Sequence, residues 1–155
     1  MPRKSAGILL HRNGARGREV LLVHPGGPAW ARKDQGAWSI PKGEYDPKEE
    51  ALAAAKREFE EELGTAAPDG EVHDLGEVRQ RSGKLVRAWA LGGDLDPAQI
   101  TSNTCQLEWP PRSGKLIEIP EVDRGEWFAL DHAKGKINPA QQALLDRLRE
   151  TLKTG

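Results

Sequence analysis

The sequence predicts an α/β (α+β) fold in which helices cover both faces of a mixed sheet. Several short apolar runs indicate strands, and two amphipathic helical patterns stand well apart from each other. Helices interspersed with strands in this way are typical of a sheet that is covered on both faces. Strands and helices do not alternate regularly, which argues against a doubly wound parallel sheet. The 155 residues contain no internal repeat, so we expect one domain spanning residues 1–155.

The first part of the chain predicts a hairpin followed by a long loop. Residues 5–12 and 19–24 are short apolar runs, and the Gly- and Arg-rich segment between them predicts a turn. Residues 24–36 carry glycines, prolines and cations, as expected of a loop. Loops of this length in a compact domain often carry function. Residues 37–40 follow as a short extended segment that ends at Pro41.

The next segment, residues 46–63, predicts an amphipathic helix. Asp46 is expected to be its N-cap, with Pro47 at the first helical position and Glu49 completing a capping box. Gly64 suits the left-handed position that ends many helices. The predicted apolar stripe consists of Leu52, Ala55, Phe59 and Leu63.

The second half of the chain adds more strands and a final helix. Residues 71–79 and 84–91 predict a second hairpin, which turns at a Ser-Gly pair. Residues 104–109 and 126–129 predict further strands on either side of a Pro-rich segment. Residues 139–152 predict an amphipathic helix whose inward-facing side chains are Leu144, Leu145, Leu148 and Leu152.

Composition and charge exclude several classes of function. The net charge of -1 gives no support for a stable nucleic acid complex or for an anionic membrane surface. Cys105 is the only cysteine, which excludes an internal disulfide and a Cys-rich metal site. There is no signal peptide and no apolar run of membrane-spanning length. We therefore expect a cytoplasmic protein that does not associate with membranes.

An acidic face on the predicted helix indicates a metal site. Glu58, Glu61 and Glu62 are spaced i, i+3, i+4, which places their carboxylates together. Like charges at this spacing destabilise a helix by roughly 0.2–0.5 kcal/mol per pair, so something must compensate them. Arg57 supplies part of that compensation, and a hard cation such as Mg²⁺ or Mn²⁺ would supply the rest. The alternative from the same residues is a solvated, salt-bridged helix face.

A longer pattern frames these glutamates and carries a family resemblance. The spacing resembles the Nudix box, G-x5-E-x7-R-E-U-x-E-E-x-G-U, in which U is a bulky apolar residue. All of its fixed residues are present, and Phe59 occupies the first U position, whereas Thr65 departs from the last. The similarity extends to "GAWSIPKGE" before the box and "EWFAL" near the end of the chain. The matching fixed residues are Gly43, Glu49, Arg57, Glu58, Glu61, Glu62 and Gly64.

The resemblance implies a fold and a set of roles. The fold would be a Nudix-type α/β/α sandwich with a mixed central sheet, and the box would form a catalytic loop–helix–loop. The metal ligands would be Glu58, Glu61 and Glu62, together with the backbone at Gly43, and the cofactor Mg²⁺ or Mn²⁺. Arg57 and Glu49 would form a salt bridge that holds the catalytic loop in shape. Glu61 would also orient or deprotonate water, with Glu108, Glu118 and Glu121 as alternative bases from other loops.

The reaction implied is hydrolysis of a phosphoanhydride bond in a nucleoside diphosphate linked to another group. The small-molecule substrate would be a dinucleoside polyphosphate or a nucleoside triphosphate. ADP-ribose and nucleotide sugars are alternatives, as is a binding module that does not hydrolyse its nucleotide. An isomerase on the same scaffold would need a catalytic thiol, for which Cys105 is the sole candidate. The protein would be a monomer or a homodimer.

Substrate contacts are expected within the extended segment before the box and on both sides of it. Lys42 is a candidate phosphate ligand, and Trp38 is a candidate for lining the nucleotide cleft. Arg32 and Lys33 lie with Trp30 in the preceding loop, where cations and an aromatic ring suit a polyphosphate and a base. The alternative for each of the cations is an ordinary solvated side chain.

Overall fold

The computed structural model describes residues 3–153 and contains strands, helices and two short 3-10 turns. The strands are β1 (Lys4–Gly14), β2 (Gly17–Pro25), β3 (Lys42–Glu44), β4 (Val72–Arg79), β5 (Leu85–Gly92), β6 (Thr104–Glu108), β7 (Leu116–Pro120) and β8 (Val122–Ala129). The helices are α1 (Ala51–Leu63), α2 (Leu130–Lys136) and α3 (Gln142–Lys153), and the 3-10 turns are Pro97–Gln99 and Pro139–Gln141. Within residues 3–153, no helix is long and apolar enough to cross a membrane.

The central sheet has six strands and mixed polarity. Its order is β4–β5–β1–β2–β8, and β3 pairs with the beginning of β1. The pair β1–β5 is parallel, whereas β1–β2, β1–β3, β2–β8 and β4–β5 are antiparallel. Both predicted hairpins are present, and the mixed α/β fold predicted from the sequence is confirmed. A separate two-stranded sheet is formed by β6 and β7.

Both faces of the central sheet are buried, which explains why β1 and β2 are almost continuously apolar. Successive residues of a strand point to opposite faces, and in β1 Ile8 and Leu10 belong to the core on one face while Leu9 belongs to the core on the other. Helix α1 covers the first face with Ala54, Ala55, Phe59 and Leu63. Helix α3 covers the second face with Leu144, Leu145 and Leu148, as predicted, and Leu152 packs against the same cluster.

The predicted start of α1 is wrong, and an ion pair explains why. The helix begins at Ala51, and its N-cap is Glu50, whose carboxylate accepts a hydrogen bond from the Ala53 N–H at 3.1 Å. Asp46 instead organises a turn before the helix. In a continuous helix, Glu49 and Arg57 would be separated by about 12 Å along the axis, because each residue rises about 1.5 Å. The two side chains are in contact, which requires the chain to leave the helical path before residue 50.

The sequence prediction missed two elements in the second half. Strand β7 lies in the Pro-rich segment between the two predicted strands, and β8 begins at Val122 rather than at residue 126. Helix α2 has only seven residues and was not predicted. Strand β7 is mostly exposed, and its apolar–polar alternation covers only Ile117, Glu118 and Ile119, which is shorter than the run of about four residues or more by which a half-buried strand is recognised.

His11 links the stability of this fold to pH. His11 is 6% exposed, and the Arg18 guanidinium lies 3.2 Å from its Nδ1. Among residues 3–153, its Nε2 finds no hydrogen-bond partner. Burial, followed by the positive charges of Arg18 and His73, lowers the pKa of His11 from 6.5 to about 4, against a smaller opposing effect of Glu71. The unfolded chain therefore binds a proton more readily than the folded chain as pH falls below about 6.5.

We expect this difference to cost stability in mild acid. Between pH 7 and pH 5, His11 should lower the free energy of unfolding by about 2 kcal/mol, and the loss should level off near the folded pKa. Urea titrations at several pH values measure it, and the His11→Gln variant should show a correspondingly weaker pH dependence. His132→Gln, at an exposed histidine, is the control. Equal pH dependence in wild type and His11→Gln would contradict the expectation.

Candidate active site

The acidic face of α1 lies against β3, which brings the beginning and the end of the box together. The Glu62 carboxylate accepts a hydrogen bond from the Lys42 N–H at 2.9 Å. The Glu58 carboxylate occupies the space that a Cβ at position 43 would fill, so only glycine allows this close approach. Gly64 caps the C-terminus of α1; its φ of 73° is left-handed, and its missing side chain makes room for the Thr101 carbonyl.

Arg57 is the hub of an ion-pair network at this site. Its guanidinium donates to both carboxylate oxygens of Glu49, at 3.0 and 3.1 Å. The same side chain donates to Glu58 at 2.9 Å and to both oxygens of Glu61 at 3.2 Å. The hydrogen bonds to Glu49 make the largest contribution to the raised pKa of Arg57, and those from Arg57 lower the pKa of Glu49. The bidentate pair fixes the loop before α1 to the middle of the helix.

The deeper carboxylates carry an unfavourable charge balance. Burial raises the pKa of the Glu62 carboxyl to about 8, and the negative charges of Glu121 and Glu58 add to that effect. Burial also raises the pKa of Glu58, with Glu61 contributing in the same direction. Burial in turn lowers the pKa of the Lys42 ammonium. A positive ion at this position would relieve the repulsion among these carboxylates.

The residues of this face fit a hard divalent cation by chemistry and charge. Carboxylate oxygens are the ligands that Mg²⁺ and Mn²⁺ prefer, and Glu58, Glu61 and Glu62 provide them from one helix. As the side chains stand, no group of three acidic, His or Cys side chains within residues 3–153 is arranged to hold an ion. Arg57 explains why these carboxylates do not converge on one point, because it donates hydrogen bonds to both Glu58 and Glu61.

A cavity of about 210 Å³ adjoins the acidic face. It shares Lys42 and Glu62 with that face, and it is open to solvent beside the exposed ring of Trp30. Its other walls come from segments that are far apart in the sequence. The remaining lining residues are Val23, Pro25, Ala37, Ser39, Ile40, Gln80, Glu121, Val122, Asn138 and Gln141.

The predicted substrate residues have different positions relative to this cavity. Lys42 lines it, and so does Trp30. Lys33 is not among the lining residues, and its ammonium lies 4.8 Å from the centroid of the Trp30 ring. Arg32 is exposed and is not among the lining residues.

The prediction that Trp38 lines the nucleotide cleft is wrong. Its side chain is 1% exposed, its Nε1 donates to Asp34 at 2.8 Å, and its ring packs edge-on against His24 and Phe128. Ala37, Ser39 and Ile40 line the cavity, but Trp38 does not. Its ring belongs to the buried core cluster, where it cannot stack on a base.

The structure also distinguishes among the three glutamates that were considered as alternative general bases. Glu121 lines the cavity, and its charge helps to raise the pKa of both Glu62 and Glu58. Glu108 is occupied elsewhere, because its carboxylate accepts hydrogen bonds from the N–H groups of Arg112 and Gly114 at the tip of the β6–β7 hairpin. Glu118 is an exposed residue of β7 opposite Gln106.

Four polar cavity residues were not singled out from the sequence: Ser39, Gln80, Asn138 and Gln141. Gln141 is fully buried in the 3-10 turn that precedes α3, and it bonds to Ser39, 102 positions earlier, and to Gln80, 61 positions earlier. No local spacing pattern connects these positions. The one sequence signal is Gln141 itself, a polar residue at the beginning of a strongly amphipathic helix.

An α/β/α sandwich that carries a carboxylate-rich, glycine-bounded loop–helix–loop defines a class of phosphoanhydride hydrolases. The family model described as NUDIX domain matches residues 1–148, so the chain belongs to the NUDIX family and is a hydrolase of this class. Among curated proteins, no sequence matches the chain.

Similar solved structures share the fold at low identity. The Ap4A hydrolase of C. elegans in a binary complex has a TM-score of 0.70 and 22% identity, over 97% of this chain and 99% of that chain. The NUDIX domain of Shewanella oneidensis NrtR, complexed with ADP ribose, has a TM-score of 0.63 and 17% identity, over 98% and 89%. A Nudix hydrolase from M. Smegmatis, RenU, has a TM-score of 0.60 and 23% identity, over 98% and 86%.

Proposed function

We propose that this enzyme hydrolyses a phosphoanhydride bond of a nucleoside triphosphate or a dinucleoside polyphosphate, with Mg²⁺ as its cofactor and Mn²⁺ as a substitute. One observation carries the proposal: Lys42 and Glu62 belong both to the acidic face and to the wall of the 210 Å³ cavity. A nucleoside in the cavity would therefore have its phosphates beside the carboxylates of α1.

Each residue of the site has a place in this reaction. Glu58, Glu61 and Glu62 would hold the cation, which when bound neutralises phosphate oxygens and makes water more acidic. Lys42 would contact a phosphate oxygen, and the Glu49–Arg57 pair would keep the loop and the helix in register. Water attacks phosphorus, the bond to the leaving phosphate oxygen breaks, and a carboxylate accepts the proton of the attacking water. Glu61 and Glu121 are the candidates for that carboxylate.

Two kinds of nucleotide are represented among the similar structures. The C. elegans protein is an Ap4A hydrolase, and the Shewanella domain is bound to ADP ribose. We favour a substrate with several phosphates, because Lys42 lines the cavity and the Lys33 ammonium lies against the ring of the lining residue Trp30. An ADP-ribose or nucleotide-sugar pyrophosphatase is the second candidate. A binding module without activity is disfavoured, since Glu58, Glu61 and Glu62 are all retained.

A substrate panel tests the proposal. The purified protein is incubated with Mg²⁺ or Mn²⁺ and with dinucleoside tri- to hexaphosphates, nucleoside triphosphates, ADP-ribose or NADH, and products are separated by chromatography. We expect metal-dependent hydrolysis that is fastest for a polyphosphate, and cleavage in ¹⁸O-water identifies the phosphorus attacked. Faster cleavage of ADP-ribose would favour the second candidate. A folded protein that binds nucleotide and metal but hydrolyses none of these compounds would favour the binding module.

A further inference from the structure

The polarity of the cavity is set by a chain of hydrogen bonds that starts at a backbone group. Gln141 is fully buried, and its Oε1 accepts a hydrogen bond from the Ile40 N–H at 3.1 Å. A backbone N–H can only donate, so the orientation of the Gln141 amide is determined. Its Nε2 must then act as the donor, and it donates to Gln80 Oε1 at 3.0 Å and to Ser39 Oγ at 3.1 Å.

This series of hydrogen bonds also determines which end of the Gln80 side chain remains available to a ligand. Gln80 accepts from Gln141 through its carbonyl oxygen, so its amide NH₂ is left over, and within residues 3–153 that group has no hydrogen-bond partner. The same reasoning applies to Asn138. Its Oδ1 accepts from the Ala140 N–H at 2.9 Å, which leaves its NH₂ without a partner in the described part of the chain. Both residues line the cavity.

The neutral part of the cavity therefore offers hydrogen-bond donors and apolar surface. Its apolar surface comes from Val23, Pro25, Trp30, Ala37, Ile40 and Val122. The hydroxyl of Ser39, the remaining neutral polar group, already donates to the Ile40 carbonyl at 2.8 Å. The two carboxylates of the lining, Glu62 and Glu121, lie on the side of the proposed cation and phosphates. A flat apolar ligand with acceptors along its edge complements such a surface.

We infer that the cavity recognises a 6-oxopurine, the base of guanosine and inosine nucleotides, in preference to adenine. This inference rests on the proposed function and specifies its substrate. Guanine and hypoxanthine present N7 and O6 along one edge, and both atoms accept hydrogen bonds. Adenine presents N7 together with the N6 amino group, which is a donor. An adenine amino group would face amide NH₂ groups and leave donors on both sides unpaired.

Comparing nucleotides that differ at position 6 tests the inference. With Mg²⁺ present, ITP and GTP should be hydrolysed with a kcat/KM about 10- to 100-fold higher than that of ATP. ITP separates the effect of the 6-oxo group from that of the 2-amino group of guanine. Equal or faster hydrolysis of ATP would overturn the inference while leaving the proposed function intact.

Two isosteric variants test whether the preference for 6-oxopurines depends on the amide groups of Gln80 and Asn138. Gln80→Glu and Asn138→Asp each replace an NH₂ donor with an acceptor oxygen and keep the oxygen that bonds to Gln141 or to the Ala140 N–H. Each should reduce the ITP-to-ATP ratio of kcat/KM by about 10-fold, and mainly through KM. Gln99→Glu, at an exposed position outside the cavity, is the matched control. An unchanged ratio in both cavity variants would assign the preference to other groups and overturn the inference.

A binding measurement keeps the inference separate from catalysis. Calorimetric titration of the wild-type protein with IMP and AMP requires no turnover. Tighter binding of IMP, weakened selectively by Gln80→Glu, would support the 6-oxopurine site even if no nucleotide were hydrolysed and the proposed function failed. Equal affinity for IMP and AMP would reject the site.

Discussion

Replacement of Glu62 by glutamine should lower kcat by about three orders of magnitude or more without unfolding the protein. The variant keeps the shape of the side chain and an oxygen that can accept the Lys42 N–H, but it removes one negative charge from the proposed cation site. Loss of preorganised charge stabilisation at a reacting phosphate commonly has effects of this size. Glu61→Gln is expected to lower turnover by orders of magnitude for the same reason.

The stability of the Glu62→Gln variant should change in the opposite direction to its activity. Without a cation, burial and the negative charges of Glu121 and Glu58 disfavour the ionised form of Glu62 in the folded protein. The unfolded chain ionises this group freely, so a neutral amide removes that cost to folding. We therefore expect the metal-free variant to melt at the same temperature as the wild type or at a higher one. Such a gain in stability with a loss of function is typical of residues that are retained for chemistry.

The matched control lies on the same helix. Glu60 is exposed and contributes no side chain to the hydrogen bonds of the acidic face, so Glu60→Gln should retain wild-type kcat. Steady-state kinetics over a range of Mg²⁺ concentrations, combined with thermal melting, distinguishes the two variants. Equal activity of Glu62→Gln and wild type, or equal losses in both variants, would reject the role assigned to Glu62.

The part of the site that helical periodicity predicts lies within α1. The spacing of Glu58, Glu61 and Glu62 determines their common face, because every residue of a helix turns by a fixed angle. The buried stripe of Phe59 and Leu63 follows from the same rule. Local propensity did not predict where α1 starts, because the ion pair between Arg57 and Glu49 outweighs the tendency of Asp46 to cap the helix.

Parts that depend on tertiary contacts were not predictable in the same way. In the short segment before the box, the sequence does not indicate which side chains line the cavity. Trp38 is buried in the core, whereas Ser39 lines the cavity. The cavity wall at Gln80 and Gln141 depends on the sheet order, which places the end of β4 beside the start of α3. No periodicity within either segment encodes that neighbourhood.

Substitution of Gly43 by alanine should have the second large effect, through geometry rather than charge. A Cβ at this position would overlap the Glu58 carboxylate, so Glu58 must rotate away and weaken its hydrogen bond to Arg57. Displacement of a site residue by about 1 Å can cost about 100-fold in rate, and we expect a loss of that order in kcat together with weaker Mg²⁺ dependence. The melting temperature should change little, because the group that has to move is the end of a flexible side chain.

A second glycine and a compensating change separate this effect from a general loss of strand flexibility. Gly92 also lies in a strand, but a Cβ there would be 3.6 Å from its nearest neighbour, an ordinary contact with His11, so Gly92→Ala should retain activity. In the Gly43→Ala background, Glu58→Asp shortens the acid by one methylene and should recover part of the lost kcat. Without the alanine, the same Glu58→Asp change should only lower activity, because the carboxylate then falls short of its position. Additive losses in the double variant would show that Gly43 and Glu58 act independently, against the steric argument.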